Sequence, residues 1–116
     1  MVRIYVSAPM NYIPTFSDLI RKLVSAYEVS LYVPFLTEND AFSMDIANLN
    51  KCDFMVTHVP EASIGTACEI TFAYLRQIPI IGYKCIHHPW LDRMIYRVDD
   101  QEKLQEVLSE MIYSLL

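Results

Sequence analysis

Phe54-Met55-Val56-Thr57-His58-Val59, then Pro60-Glu61-Ala62, then Ser63-Ile64-Gly65-Thr66-Ala67-Cys68-Glu69-Ile70 is the stretch on which the fold turns. Its first six residues form an apolar run, the pattern of a strand buried on both faces. Pro60 breaks that run. Thr71-Phe72-Ala73-Tyr74-Leu75 extends the last part as a helix, so the chain makes a strand-to-helix turn here. Between Gly65 and Arg76, Glu69 is the only charged residue. A lone acid on an apolar helix is costly to bury unless it is partnered or used. Glu69 is therefore the first candidate for chemistry.

The same alternation continues in both directions. Val2–Ser7, Ser30–Val33, Ile78–Tyr83 and Met94–Val98 are further short apolar runs. Thr15 reads as a helix N-cap with Asp18 three residues on. Phe16, Leu19, Ile20, Leu23, Val24 and Tyr27 then recur at helical spacing. Ser43 opens a second helix carrying Met44, Ile46, Ala47 and Leu49. Asp99 or Asp100 caps a last one, with Leu104, Val107, Leu108, Met111 and Ile112 on one face. Leu36–Phe42 and Lys84–Leu91 read as irregular. Apolar strands alternating with helices predict a three-layer, doubly wound α/β domain over residues 1–116, with a five-stranded parallel sheet of flavodoxin-like or Rossmann-like type. Ligands of such sheets sit at the carboxyl ends of the strands, beside a topological switch point. The loops there are Ser7–Pro14, Pro34–Phe42, Val59–Thr66 and Tyr83–Leu91.

Composition narrows the function. Hydrophobic residues are 53% and charged residues 20% of 116, enough apolar material for one packed core. A formal net charge of −5 and no basic stripe argue against a nucleic-acid polymer as partner. No apolar run approaches the roughly 20 residues that span a bilayer. Met1–Val6 reads as a strand and not as a signal peptide. Cys52, Cys68 and Cys85 fit no metal spacing and read as reduced, mostly buried thiols of a cytoplasmic protein. Cys68, in an opening helical turn, reads as a packing residue or a reactive thiol. The first loop, Ser7-Ala8-Pro9-Met10-Asn11, lacks the glycines of a dinucleotide fingerprint or a phosphate loop. No metal or organic cofactor is expected. His87-His88 has no third ligand nearby and reads as loop.

The other candidates each carry two readings. Asp45 is either a first-turn acid favoured by the helix dipole or part of a site. Tyr5 is core or reaches the pocket mouth. Ser63 is a helix cap or a ligand contact. Met94 is core or rim, and Asp92 lies in the loop after the fourth strand. Taken in order, Arg3–Pro9, Asp45–Asp53 and Ser63–Ile70 resemble the nucleoside 2-deoxyribosyltransferase superfamily, which includes deoxynucleoside 5′-monophosphate N-glycosidases. The most specific part is Gly65-Thr66-Ala67-x-Glu69-Ile70 with Asp45 before it; Leu91–Ile95 looks like the segment that crosses to a neighbouring subunit.

The resemblance implies a role for each position. Glu69 matches the nucleophile that forms a glycosyl-enzyme intermediate. Tyr5 matches the tyrosine that orients it, and Asp45 an acid that assists departure of the nucleobase. Ser7, Ala8, Pro9, Met10, Asn11, Ser63 and Gly65 match substrate-binding positions. Asp92 and Met94 match residues that enter a partner's pocket, which implies a homodimer or higher homo-oligomer. The implied reaction is transfer of a deoxyribosyl group between bases. Hydrolysis of nucleoside 5′-monophosphates and a non-catalytic nucleotide-binding module are the alternatives. Ser63 favours a phosphate-bearing substrate. Pro9 and Asn11 stand where the hydrolases carry hydroxyl and arginine donors, and the extra charge of Asp92 disfavours a phosphate. A third reading makes the C-terminal helix, with Tyr113, Leu115 and Leu116, an interaction surface.

Overall fold

Five runs of β-branched and aromatic residues become β1 (Val2–Ser7), β2 (Val29–Tyr32), β3 (Phe54–Thr57), β4 (Ile80–Tyr83) and β5 (Tyr96–Val98). Between and after them lie α1 (Ile13–Leu23), α2 (Ala41–Leu49), α3 (Ile64–Leu75), α4 (Pro89–Met94) and α5 (Gln101–Leu115). The computed structural model describes residues 1–34 and 41–116. Every strand pair is parallel and the order is β2-β1-β3-β4-β5. That order is the flavodoxin-like one, and it places the switch point between β1 and β3. The three-layer, five-stranded parallel architecture expected from the sequence is what the chain adopts.

Alternation along the strands divides the core into two. Ile4, Val6, Val56 and Ile81 face α1 and α5, where Phe16, Ile20, Leu104, Leu108 and Ile112 close over them. Tyr5, Met55 and Ile80 face the other way, under Leu49, Ile70, Ala73 and Leu91 of α2, α3 and α4. This second layer is the thinner one. Only Thr66, Ile70 and Ala73 of α3 are buried.

Several boundaries differ from the expected ones, each for a local reason. The α1 cap is Tyr12, not Thr15. Pro14 is suited to the first turn, and Pro9 O already accepts the Tyr12 and Ile13 N–H groups. Strand β2 begins at Val29, one residue early, because Val2 pairs with it. β3 stops at Thr57, and β4 starts at Ile80 because Pro79 has no N–H to give the ladder. Helix α2 starts at Ala41, before Ser43, so Asp45 lies beyond the first turn and the helix-dipole reading of it fails. The rest of the expected Leu36–Phe42 loop lies outside the described residues. The stretch read as irregular before Leu91 contains the start of α4. His88 caps it by accepting the Trp90 N–H (3.2 Å), and Pro89 follows as first helical residue. β5 is thereby shortened to three residues. Asp100, one of the two expected caps, accepts the Lys103 N–H at 2.8 Å.

Gly82 marks where the layers are tightest. A Cβ there would lie 2.4 Å from Ile95 Cδ1 and 3.2 Å from Cys85 Sγ. We expect Gly82→Ala to cost about 1–3 kcal/mol in urea unfolding. Adding Ile95→Val, which removes the Cδ1 methyl, should recover part of that loss; strict additivity of the two substitutions would exclude the clash as cause.

Candidate active site

Tyr5 and Ser7 are two apart on β1, so both side chains leave the same face of the sheet. That face lies under α3. The Tyr5 hydroxyl donates to Oε2 of Glu69, and the Ser7 hydroxyl donates to Oε1 at 3.1 Å. Each carboxyl oxygen thus has its own donor. Burial nonetheless dominates and pushes the Glu69 carboxyl up to about 7; the two hydrogen bonds oppose the shift and the Asp45 charge adds to it. Tyr5, wholly buried, has its phenol pushed far above the ordinary range by burial and then by the Glu69 charge. It stays protonated, hence a donor.

Asp45 on α2 is the second acid. The Tyr32 hydroxyl donates to its Oδ1 at 2.8 Å. Burial raises the Asp45 carboxyl, and the Tyr32 bond holds it back. Tyr32 is itself pushed up to about 12, chiefly by burial and then by its bond to Asp45. Tyr5 and Tyr32 are in register on neighbouring strands, with ring centroids 5.3 Å apart. Two adjacent tyrosines therefore hold two carboxylates. Tyr32 was not among the residues singled out in the sequence. Its only signal is its register with Tyr5, which appears once β1 and β2 are paired.

The remaining candidates divide. In the first loop Ser7 alone reaches a carboxylate; Ala8 and Pro9 are buried, and Met10 and Asn11 are exposed at the turn. Ser63 is the α3 N-cap. It accepts the Thr66 N–H (3.4 Å), and its hydroxyl donates to Thr66 Oγ1 (3.0 Å). Gly65 has no positive φ, and a Cβ on it would meet nothing within 4 Å. Neither backbone strain nor packing within the chain requires glycine there. Asp92 sits in α4 rather than a loop. Arg97 donates to it, to Cys85 O and to Ile86 O, while His87 lies 3.6 Å from its other oxygen. Its carboxyl is lowered: Arg97 outweighs the cost of desolvation. The negative charge expected to repel a phosphate is therefore paired with Arg97. Met94 packs partly buried against the second core. Among the described residues no three of His, Cys, Asp and Glu converge as a metal site. Of the thiols expected to be mostly buried, Cys85 is buried, Cys52 partly so, and Cys68 is exposed, which removes its packing role.

With this geometry in view, two solved structures are similar over nearly the whole chain. A 2-deoxyribosyltransferase from Bacillus psychrosaccharolyticus superposes with a TM-score of 0.72 at 15% identity, covering 90% of each chain. A CMP N-glycosidase from Clostridium botulinum gives 0.70 at 14% identity, covering 92% of this chain and 97% of the other. The likeness is one of fold: this chain has the same α/β architecture as these two enzymes. No family model and no curated protein matches the sequence. No helix among the described residues is long and apolar enough to cross a membrane.

The raised Glu69 carboxyl ties stability to pH. Its folded value, about 7, lies above its ordinary 4.5, so its contribution is fully present below about pH 4.5 and is lost as pH rises through 7. We expect wild type to lose stability against Glu69→Gln over that window, by up to about 3 kcal/mol in urea titrations. Parallel curves for the two proteins would show that Glu69 is not buried as described.

Proposed function

We propose that the chain cleaves the N-glycosidic bond of a (deoxy)nucleoside with Glu69 as nucleophile, and passes the deoxyribosyl group to a second nucleobase. The observation that carries this reading is the Tyr5–Glu69–Ser7 arrangement. Two hydroxyls fix both carboxyl oxygens in a largely apolar layer, at the carboxyl edge of the sheet and beside its switch point. A carboxylate so held attacks the anomeric carbon as the carbon–nitrogen pair leaves with the base. Asp45, held by the Tyr32 hydroxyl beside this carboxylate, is the group placed to supply a proton to that base. The acceptor base then attacks the sugar and gives its N–H proton back to Asp45, while the carbon–oxygen pair returns to Glu69. The likeness to a 2-deoxyribosyltransferase and a CMP N-glycosidase supports a substrate of this class.

Charge favours a nucleoside over its 5′-phosphate. Glu69 feels the Asp45 charge with no cation offsetting it. Arg97 is engaged with Asp92 and two carbonyls. Lys51 and Arg76 follow the C-terminal ends of α2 and α3, at the far edge of the sheet. A phosphate beside two carboxylates would have no counter-charge from these groups. The second reading, hydrolysis of a monophosphate, draws on Ser63 and the N-terminus of α3, where an anion is welcome. Gly65 suits either, since its bare Cα leaves room for a ligand to approach the backbone. We place the enzyme in the cytoplasm, a reducing compartment suited to three free thiols.

Product analysis with a deoxynucleoside, with and without an acceptor base, tests the reading. We expect base exchange that Glu69→Ala lowers by about 1,000-fold or more. Equal inactivity of wild type and Glu69→Ala on nucleosides and monophosphates would sink it, and release of sugar phosphate from monophosphates alone would select the second reading. Gly65→Ala should raise KM while leaving stability unchanged or higher by no more than about 1 kcal/mol.

We also propose a homodimer. Phe42 and Met44 on α2 and Ile64, Tyr74 and Leu75 on α3 are exposed on the same side of the sheet, a concentration of apolar surface that self-association would cover. Sedimentation should show a dimer that Ile64→Glu with Leu75→Glu converts to monomer; a monomeric wild type at tens of micromolar would contradict the proposal.

A further inference from the structure

Thr57 ends β3 at the switch point, and nothing so far explains its hydroxyl. The residue is fully buried. Its Oγ1 is the one buried side-chain nitrogen or oxygen among the described residues without a hydrogen-bond partner. Its direction follows from alternation. Phe54 and Val56 face α1 and α5, and Met55 faces the layer under α3. Thr57 therefore faces α3 as well. It is in register with Ser7 on one side and Gly82 on the other. Ser7 donates to Glu69, and Gly82 is roofed by Ile95 and Cys85. The unpaired hydroxyl thus lies one strand spacing, about 4.8 Å, from Ser7 in the floor beneath Glu69.

Valine has the same shape and would leave no orphan, and an unpaired buried hydroxyl is a net cost. Oγ1 is shielded from bulk solvent, and a hydroxyl on the neighbouring strand can partner it by changing rotamer. Ser7 is the hydroxyl in register with it. We propose that Thr57 is a positioning residue that accepts the Ser7 hydroxyl while Glu69 carries the sugar. This rests on the reading of Glu69 as nucleophile. In the free enzyme the Ser7 donor has a charged acceptor, Glu69 Oε1. Once Glu69 is bonded to the anomeric carbon, its carboxyl is a neutral ester and accepts weakly. A Ser7 hydroxyl left unpaired there would raise the energy of the intermediate. Rotation about its χ1 turns the donor to Thr57 Oγ1. The reverse rotation restores the original bond as the acceptor takes the sugar and Glu69 leaves as carboxylate. Thr57 makes and breaks no covalent bond in either step.

Steady-state kinetics of Thr57→Val and Thr57→Ser, each also in a Ser7→Ala background, test this. Thr57→Val should lower kcat about tenfold, the size of one neutral hydrogen bond, with KM within about twofold of wild type. Its melting temperature should equal or exceed that of wild type, because an orphan has been removed. Thr57→Ser should keep kcat within about threefold. In the Ser7→Ala background, Thr57→Val should have no further effect. Wild-type kcat in Thr57→Val, or effects that add fully across the two sites, would overturn the inference while leaving the nucleophile in place. A wild type that cleaves no nucleoside would instead remove the reading on which it rests.

Discussion

The burial of one carboxyl group sets the rest of the site. Glu69 must leave water if α3 is to pack on the sheet, and it can do so only where both its oxygens find donors. Tyr5 and Ser7 supply them from one strand, two residues apart, on one face. The span between those donors is fixed by the pleat, so α3 has one position in which the carboxyl bridges both. The docking of the helix and the placing of this carboxyl are the same constraint. Even with two donors the carboxyl stays high, at about 7, because burial outweighs them.

That constraint also accounts for the odd character of α3. Apart from Glu69 the helix is apolar, yet only Thr66, Ile70 and Ala73 are buried. An ordinary cover helix would roll until more of its apolar surface met the sheet. Here the bond from Glu69 to β1 fixes its rotation, and Ile64, Tyr74 and Leu75 are left facing outward. The opposite layer carries no such tie. There α5 presents Leu104, Leu108 and Ile112 in a regular stripe and buries them fully. That layer holds the larger apolar cluster, and the thin one holds the paired carboxyls.

The fold was largely legible in the sequence because the strands are short apolar runs between proline and polar breaks. What misled were local boundaries set by backbone partners, such as Pro9 O serving the start of α1. Helix α4 was missed because its cap is a histidine, which seldom signals a helix start. Within the site, Glu69 stood out by itself as a lone acid. For Tyr5 and Asp45 a role was only implied by resemblance, and the structure adds the bonds that join Tyr5 to Glu69 and Tyr32 to Asp45. Tyr32 and Thr57 could not be found by any linear pattern. Their meaning depends on what lies beside them across the sheet, which only strand pairing supplies. Ser63 had a cap reading and a ligand reading, and its bonds to Thr66 establish the first.

Two tyrosines in register, each holding one acid, make the site a pair of similar units with different surroundings. Glu69 has two donors but lies deeper, and Asp45 has one and lies nearer the surface. The Asp45 charge raises the tendency of Glu69 to keep its proton, since a single negative charge is easier to hold here than two. In the proposed reaction these two carboxyls divide the work of nucleophile and acid. In that proposal, departure of the base would consume the proton on one acid as the other lost its charge to the sugar. The site would then hold a neutral ester beside a carboxylate, with the same total negative charge as the singly protonated pair at the start. A floor of hydroxyls suits that cycle, because hydroxyl donors can turn to follow the charge and fixed cations cannot.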